Sequence, residues 1–220
     1  KGGNGGNGAS TNNEMGLAGL SSTGIVGGGG VAFNDNTTAT IYNCTIEDCN
    51  VVYNHNGLDG IGAFPPDTAA TPLPSNQKIR GAALYCGAAT NADIRFTRFS
   101  NNLLHIGDAN MSQGFVWDVN CGGGGIFFSQ NASATIVNSD FSANISEFGG
   151  GGIHALDNCS LTITDCTFTD NTAYNINTGR TFLMAQRGGG ILLDSGTLTI
   201  DGCTFEGNNS SALDEGGAVY

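Results

Sequence analysis

Asp140, Asp165, Asp170, Asp194, Asp201 and Glu206 are the carboxylates that could serve as general acid and base, with Arg95, Arg98 and His154 as basic groups nearby in the chain. Cleaving a glycosidic polymer needs two such carboxylates facing one bond, or carboxylate-held Ca²⁺ beside a basic group. These residues do not recur at one spacing, so no such pair is expected. His154 sits between apolar neighbours and is expected to point outward, alone and exposed. The seven cysteines include no Cys-x-x-Cys and no histidines at zinc spacing, so no metal is expected. No Gly-x-Ser-x-Gly elbow occurs. No Lys follows the glycine runs, and each run leads into a strand pattern, which excludes a phosphate loop. No cofactor is expected.

The frame that would position these residues is unsuited to long helices. Glycine contributes 36 residues, and Asn, Ser and Thr are abundant. Glycine is costly inside a helix, and short polar side chains compete there for the backbone. Charged residues make up 12% of the chain and the net charge is −12. The basic footprint of a nucleic-acid binder is absent, and an acidic surface disfavours anionic membranes. No apolar run reaches the length of a membrane-spanning helix.

A repeat organises the chain. Five segments align: from Gly28 to Cys49, Gly81 to Asn102, Gly123 to Asn144, Gly150 to Asn171 and Gly188 to Asn208. Each reads as a glycine run with an apolar residue, a polar corner, a pair such as Thr-Ile, then Cys-Thr-Phe-x-x-Asn or a variant. Ile126 to Ile153 and Ile191 to Val219 are 27 and 28 residues apart. Apolar residues alternate at period two within each segment, the strand signal. Three short strands cannot bury a face alone, but stacked turns can, about 4.8 Å apart. The sequence therefore predicts an all-β parallel β-helix, a solenoid of about five turns with three strands per turn. Internal ladders are expected from Phe99, Phe141, Phe168 and Phe205, and from Asn102, Asn144, Asn171 and Asn208. Cys44, Thr97, Ser139, Cys166 and Cys203 form a small inward column.

The Gly-Gly-Gly-Ile and Cys-Thr-Phe-x-x-Asn boxes at Gly150–Asn171 and Gly188–Asn208 resemble the repeats of chlamydial polymorphic outer membrane proteins. Similar repeats occur in large surface proteins of algae and other microbial eukaryotes. The resemblance covers about residues 28–220 and implies a right-handed β-helix with an adhesive or surface role. The first turn departs from it, with Ile46 and Cys49 at the Phe and Asn positions.

Residues 1–24 read as a linker, a cap or an irregular first turn, and 25–220 as the β-helix. Insertions are expected at about 50–80, 103–121 and 172–187, all from one corner. They carry the candidate binding-edge residues Tyr53, Trp117, Tyr174 and Arg180. Gly216-Gly-Ala-Val-Tyr220 reads as the start of another repeat, so the chain is expected to be a segment of something larger. Cys166 and Cys203 fall in adjacent turns, where either a disulfide or a pair of buried thiols fits. Asn-x-Ser/Thr sequons occur at Asn36, Asn43, Asn110, Asn131, Asn144, Asn158, Asn208 and Asn209. Asn36, Asn131 and Asn158 share one polar corner and are the expected glycan sites, with Asn110 a further candidate; Asn144 and Asn208 point inward and should stay bare. These features suggest a secreted or cell-surface structural or adhesive segment. Its partners would be other copies or segments of one assembly, or surface glycans and proteins. The alternative is a polysaccharide lyase or hydrolase. A further one is ice binding through outward pairs such as Thr38/Thr40, Ser160/Thr162 and Thr197/Thr199, although Tyr42, Arg95 and Asp201 break that array.

Overall fold

A computed structural model describes residues 25–27, 29–53, 78–106, 121–173, 187–210 and 216–220. All regular structure among them is β. Four five-stranded parallel sheets each take one strand from every turn, in turn order. The first sheet holds Val31–Phe33, Leu84–Cys86, Ile126–Phe128, Ile153–Ala155 and Ile191–Leu193. The second holds Thr38–Tyr42, Asn91–Arg95, Ser133–Val137, Cys159–Thr164 and Gly196–Asp201. The third holds Thr45–Glu47, Arg98–Ser100, Asp140–Ser142, Thr167–Thr169 and Thr204–Glu206. Chain order and parallel pairing make this a parallel β-helix; it is right-handed, the sense that twisted strands favour.

A fourth strand per turn joins the three read from the sequence: Asn50–Tyr53, Leu103–Ile106, Ile145–Ser146, Thr172–Ala173 and Asn209–Ser210. Residues 50–53, 103–106 and 172–173, assigned above to the start of the insertions, therefore belong to the coil. Its buried residues are Val51, Leu104, Ser146 and Ala173, whose changing type leaves no ladder to read. Lys78–Arg80 pairs with Ile25–Gly27 in a separate two-stranded sheet. Val219 bridges Ile191, so the last described residues lie in the first-sheet position of a further turn.

Left-handed backbone recurs at the described corners. Between the first and second sheets it falls on Asn36, Ala89, Asn131 and Asn158; between the third and fourth, on Asp48, Asn101, Ala143 and Asp170. The corner entering the first sheet uses glycine: Gly150 has φ 59°, and a Cβ there would lie 2.2 Å from the Ile153 carbonyl oxygen. Asn and Asp dominate the other corners because they tolerate this region best after glycine.

Inside, the registers Phe99↔Phe141↔Phe168↔Phe205 stack the rings face to face. Centroids are 5.0, 4.6 and 4.8 Å apart, with interplanar angles of 10°, 2° and 6°. The Asn ladder runs beside them. Asn102 Nδ2 donates to Asn144 Oδ1 at 2.8 Å, Asn144 Nδ2 to Asn171 Oδ1 at 2.9 Å, and Asn171 Nδ2 to Asn208 Oδ1 at 2.9 Å. Each Nδ2 also donates to a carbonyl of the preceding turn, as Asn144 does to Phe99 at 2.9 Å. Each Oδ1 also accepts a backbone N–H of that turn, as Asn144 accepts from Asn102 at 3.3 Å. The left-handed residue is the one before each ladder asparagine, so these asparagines are held by amide bonding across turns rather than by corner geometry. Thr97, Ser139 and Cys166 are buried as expected, and Cys203 is half-buried. Cys44 is exposed in the outermost described turn and is not part of the buried column.

Candidate functional site

The outer face of the first sheet carries its own column of side chains: Tyr85, Phe127, His154 and Leu192, in register from turn to turn. All four are buried, and Tyr85, Phe127 and Leu156 form a second apolar cluster outside the prism. In four turns the residue ahead of the glycine at the entering corner packs on the outward residue of the next turn. The Arg80 guanidinium carbon lies 4.7 Å from the Phe127 ring centroid, and that of Arg187 4.4 Å from the Tyr220 ring. Between them, Gly122 meets His154 and Gly149 meets Leu192. A Cβ at Gly122 would sit 2.2 Å from His154 Nδ1, and one at Gly149 2.4 Å from Leu192 Cδ2.

His154 does point outward, but it is only 1% exposed, which corrects the expectation of a lone solvent histidine. Its ring stands edge-on to Phe127, centroids 5.1 Å apart. Nε2 lies 3.4 Å from Asp194 Oδ2, while the buried Nδ1 has no hydrogen-bond partner. Local alternation fixes the direction of a side chain but not what covers an outer face. Arg80 is likewise buried and donates from Nη1 to Ser129 Oγ at 3.4 Å. Burial pushes the Tyr85 phenol up, and the nearby Arg80 charge opposes this. On the fourth sheet, His105 Nδ1 lies 3.0 Å from buried Glu147 Oε1, without hydrogen-bond geometry. The signal for the Arg80 contact was present in the sequence: Arg80 precedes Gly81-Ala-Ala and Arg187 precedes Gly188-Gly-Gly at the same repeat position, and aromatic residues stand one turn further on.

The carboxylates are spread as the repeat register implied. Asp140 is paired in register with Arg98 and Thr167, Asp201 lies beside Thr164, and Asp194 faces His154. No group of three or more metal-ligating side chains occurs among the described residues. Asp93 and Arg95 form an ion pair at 2.7 Å across the outward Thr-x-Thr array of the second sheet.

Asn36, Asn131 and Asn158 are all exposed at one corner column, with φ near 58–60°. Asn144 is fully buried and Asn208 half-buried within the ladder. Cys166 and Cys203 hold free thiols, with the Cys166 N–H directed at Cys203 Sγ at 3.4 Å. Tyr53 ends a fourth-sheet strand, paired with Ile106. Trp117, Tyr174, Arg180 and Asn110 lie outside the described residues, and no described helix is long and apolar enough to cross a membrane.

A family model described as the right handed beta helix region matches residues 3–219, and the chain belongs to that family. Comparisons with curated proteins and with solved structures find no match.

Proposed function

We propose that this chain is a structural or adhesive segment of a larger extracellular glycoprotein: a surface coat, an adhesin or a filament subunit. The observation that carries the reading is the unbroken pair of ladders, Phe99 to Phe205 and Asn102 to Asn208. Backbone bonds between turns, ring stacking and amide bonding all run along one axis, so the body is a stiff rod that acts through its outer faces. The resemblance to polymorphic outer membrane protein repeats supports a surface setting, and the exposed sequon column supports passage through a secretory pathway. The partners are other copies or segments of the same assembly, or surface glycans and proteins. Electron microscopy of the native particle tests this. Elongated fibres or rod-like projections are expected; a compact isolated monomer would contradict it.

The second reading, an enzyme acting on polysaccharides, is favoured by the His154–Asp194 pair on the outer face of the first sheet. The lack of room around Nδ1, against the backbone of Gly122, weighs against it. Release of products from pectin, alginate or chitin, abolished by His154→Gln, would establish it.

A further inference from the structure

The corner between the second and third sheets places one residue per turn in the left-handed region: Asn43 at φ 52°, Phe96 at 52°, Asn138 at 49°, Asp165 at 53° and Gly202 at 62°. Asn, Asp and Gly tolerate this conformation, whereas a bulky side chain there is a strained outlier. Phe96 is not compensated by burial, being 49% exposed. Its ring meets that of Tyr42, itself 61% exposed, edge-on with centroids 5.5 Å apart. Strain kept at an exposed residue without a packing return is the pattern of a functional surface.

Two arginines stand beside Phe96 in the chain. Arg95 immediately precedes Phe96 and is the register partner of Tyr42; its Nε lies 2.7 Å from Asp93 Oδ1. Arg98, two residues beyond, has Nε 3.6 Å from Asp140 Oδ2. Both pairs are open to solvent and each is internally neutral.

We propose that Tyr42 and Phe96 form a stacking platform for a neutral saccharide, with the Asp93–Arg95 and Arg98–Asp140 pairs reading its hydroxyls. This deepens the adhesive reading and rests on it. A pyranose ring presents a C–H face that packs on an aromatic ring, and a rim of hydroxyls that both donate and accept. Guanidinium supplies only donors and carboxylate only acceptors, so the two pairs together meet such a rim. A polyanion gains little from arginines already neutralised, and the chain's net charge of −12 repels it. A protein partner would want about 800 Å² per side with few charges at its centre; two rings bordered by four charged groups do not offer that.

The full chain is mixed with cello-, laminari-, manno- and chito-oligosaccharides and with polygalacturonate, and binding is followed by saturation transfer from the aromatic protons. At least one neutral oligosaccharide should bind, with Tyr42→Ala and Phe96→Asn each weakening it about tenfold or more. Phe96→Asn should also melt about 2–4 °C higher, because asparagine relieves the backbone strain. No transfer to any neutral sugar overturns the proposal, as does binding of polygalacturonate alone. A Phe96→Asn variant that melts lower and binds sugar unchanged makes the ring a packing residue and also overturns it. So does a variant that loses a protein partner while the parent binds no sugar. Fibres without sugar binding would defeat this site and leave the structural reading standing; sugar binding by a compact monomer would do the reverse.

Discussion

Arg80 stacks on Phe127 one turn further along the solenoid, and Arg187 repeats the contact on Tyr220, at 4.7 and 4.4 Å from guanidinium carbon to ring centroid. The intervening turns replace the arginine with Gly122 and Gly149, and the next outward residue fills the space. Cation and ring thus extend packing outside the prism, where a polar column would otherwise be hydrated. Arg80→Ala is expected to cost about 1–3 kcal/mol, since a buried cation–π contact and a hydrogen bond are lost together. Arg187→Ala should cost less, its side chain being only partly covered. Urea unfolding of both variants checks the order.

Asn144 donates to one turn's carbonyl and the next turn's amide, and accepts from two groups of the turn before. Asn144→Ala therefore leaves several buried groups unpaired, at about 1–3 kcal/mol for each one that water cannot reach. The equivalent change at exposed Asn138→Gly should be near neutral, because glycine suits its left-handed backbone. Equilibrium unfolding of the two variants measures the contrast.

Glycans are expected on Asn36, Asn131 or Asn158, whose side chains are exposed, and not on Asn144, which is fully buried. Asn131 and Asn158 lie in adjacent turns, in register through Ser133↔Ser160, so two full glycans there crowd one another. Mass spectrometry of native material should find mixed occupancy between them. All three bare, or Asn144 modified, would contradict the expectation.

Burial pushes the Cys159 and Cys166 thiols from 9.0 up to about 11, and Cys86 higher still. Between about pH 9 and pH 11 the unfolded chain loses protons that the folded chain keeps, so stability falls with rising pH across that window and is unaffected by these groups below it. Urea midpoints measured across the window should decline, with a shallower decline in Cys166→Ala. An alkylating reagent at neutral pH should label exposed Cys44 first and leave Cys86 untouched until unfolding.

What could be read from residues alone follows from how far each signal repeats. The Phe and Asn ladders were legible because one residue type recurs at one place in each turn, and strand alternation gave Ile94, Ile136 and Ile163 their inward facing. The fourth strand was not legible, because its inward residue changes from Val51 through Leu104 and Ser146 to Ala173. The burial of His154 was hidden for a different reason: it depends on Gly122, Phe127 and Asp194 in neighbouring turns. Phe96 reads as an ordinary apolar residue until its corner register reveals a left-handed backbone.

Ring-to-ring nuclear Overhauser contacts among Phe99, Phe141, Phe168 and Phe205 test the stacked architecture most directly. Contacts should link each ring to the next in that order, consistent with centroid spacings of 5.0, 4.6 and 4.8 Å, with none between Phe99 and Phe205. Missing links between consecutive rings, or rings open to a solvent relaxation agent at Phe141 and Phe168, would contradict it.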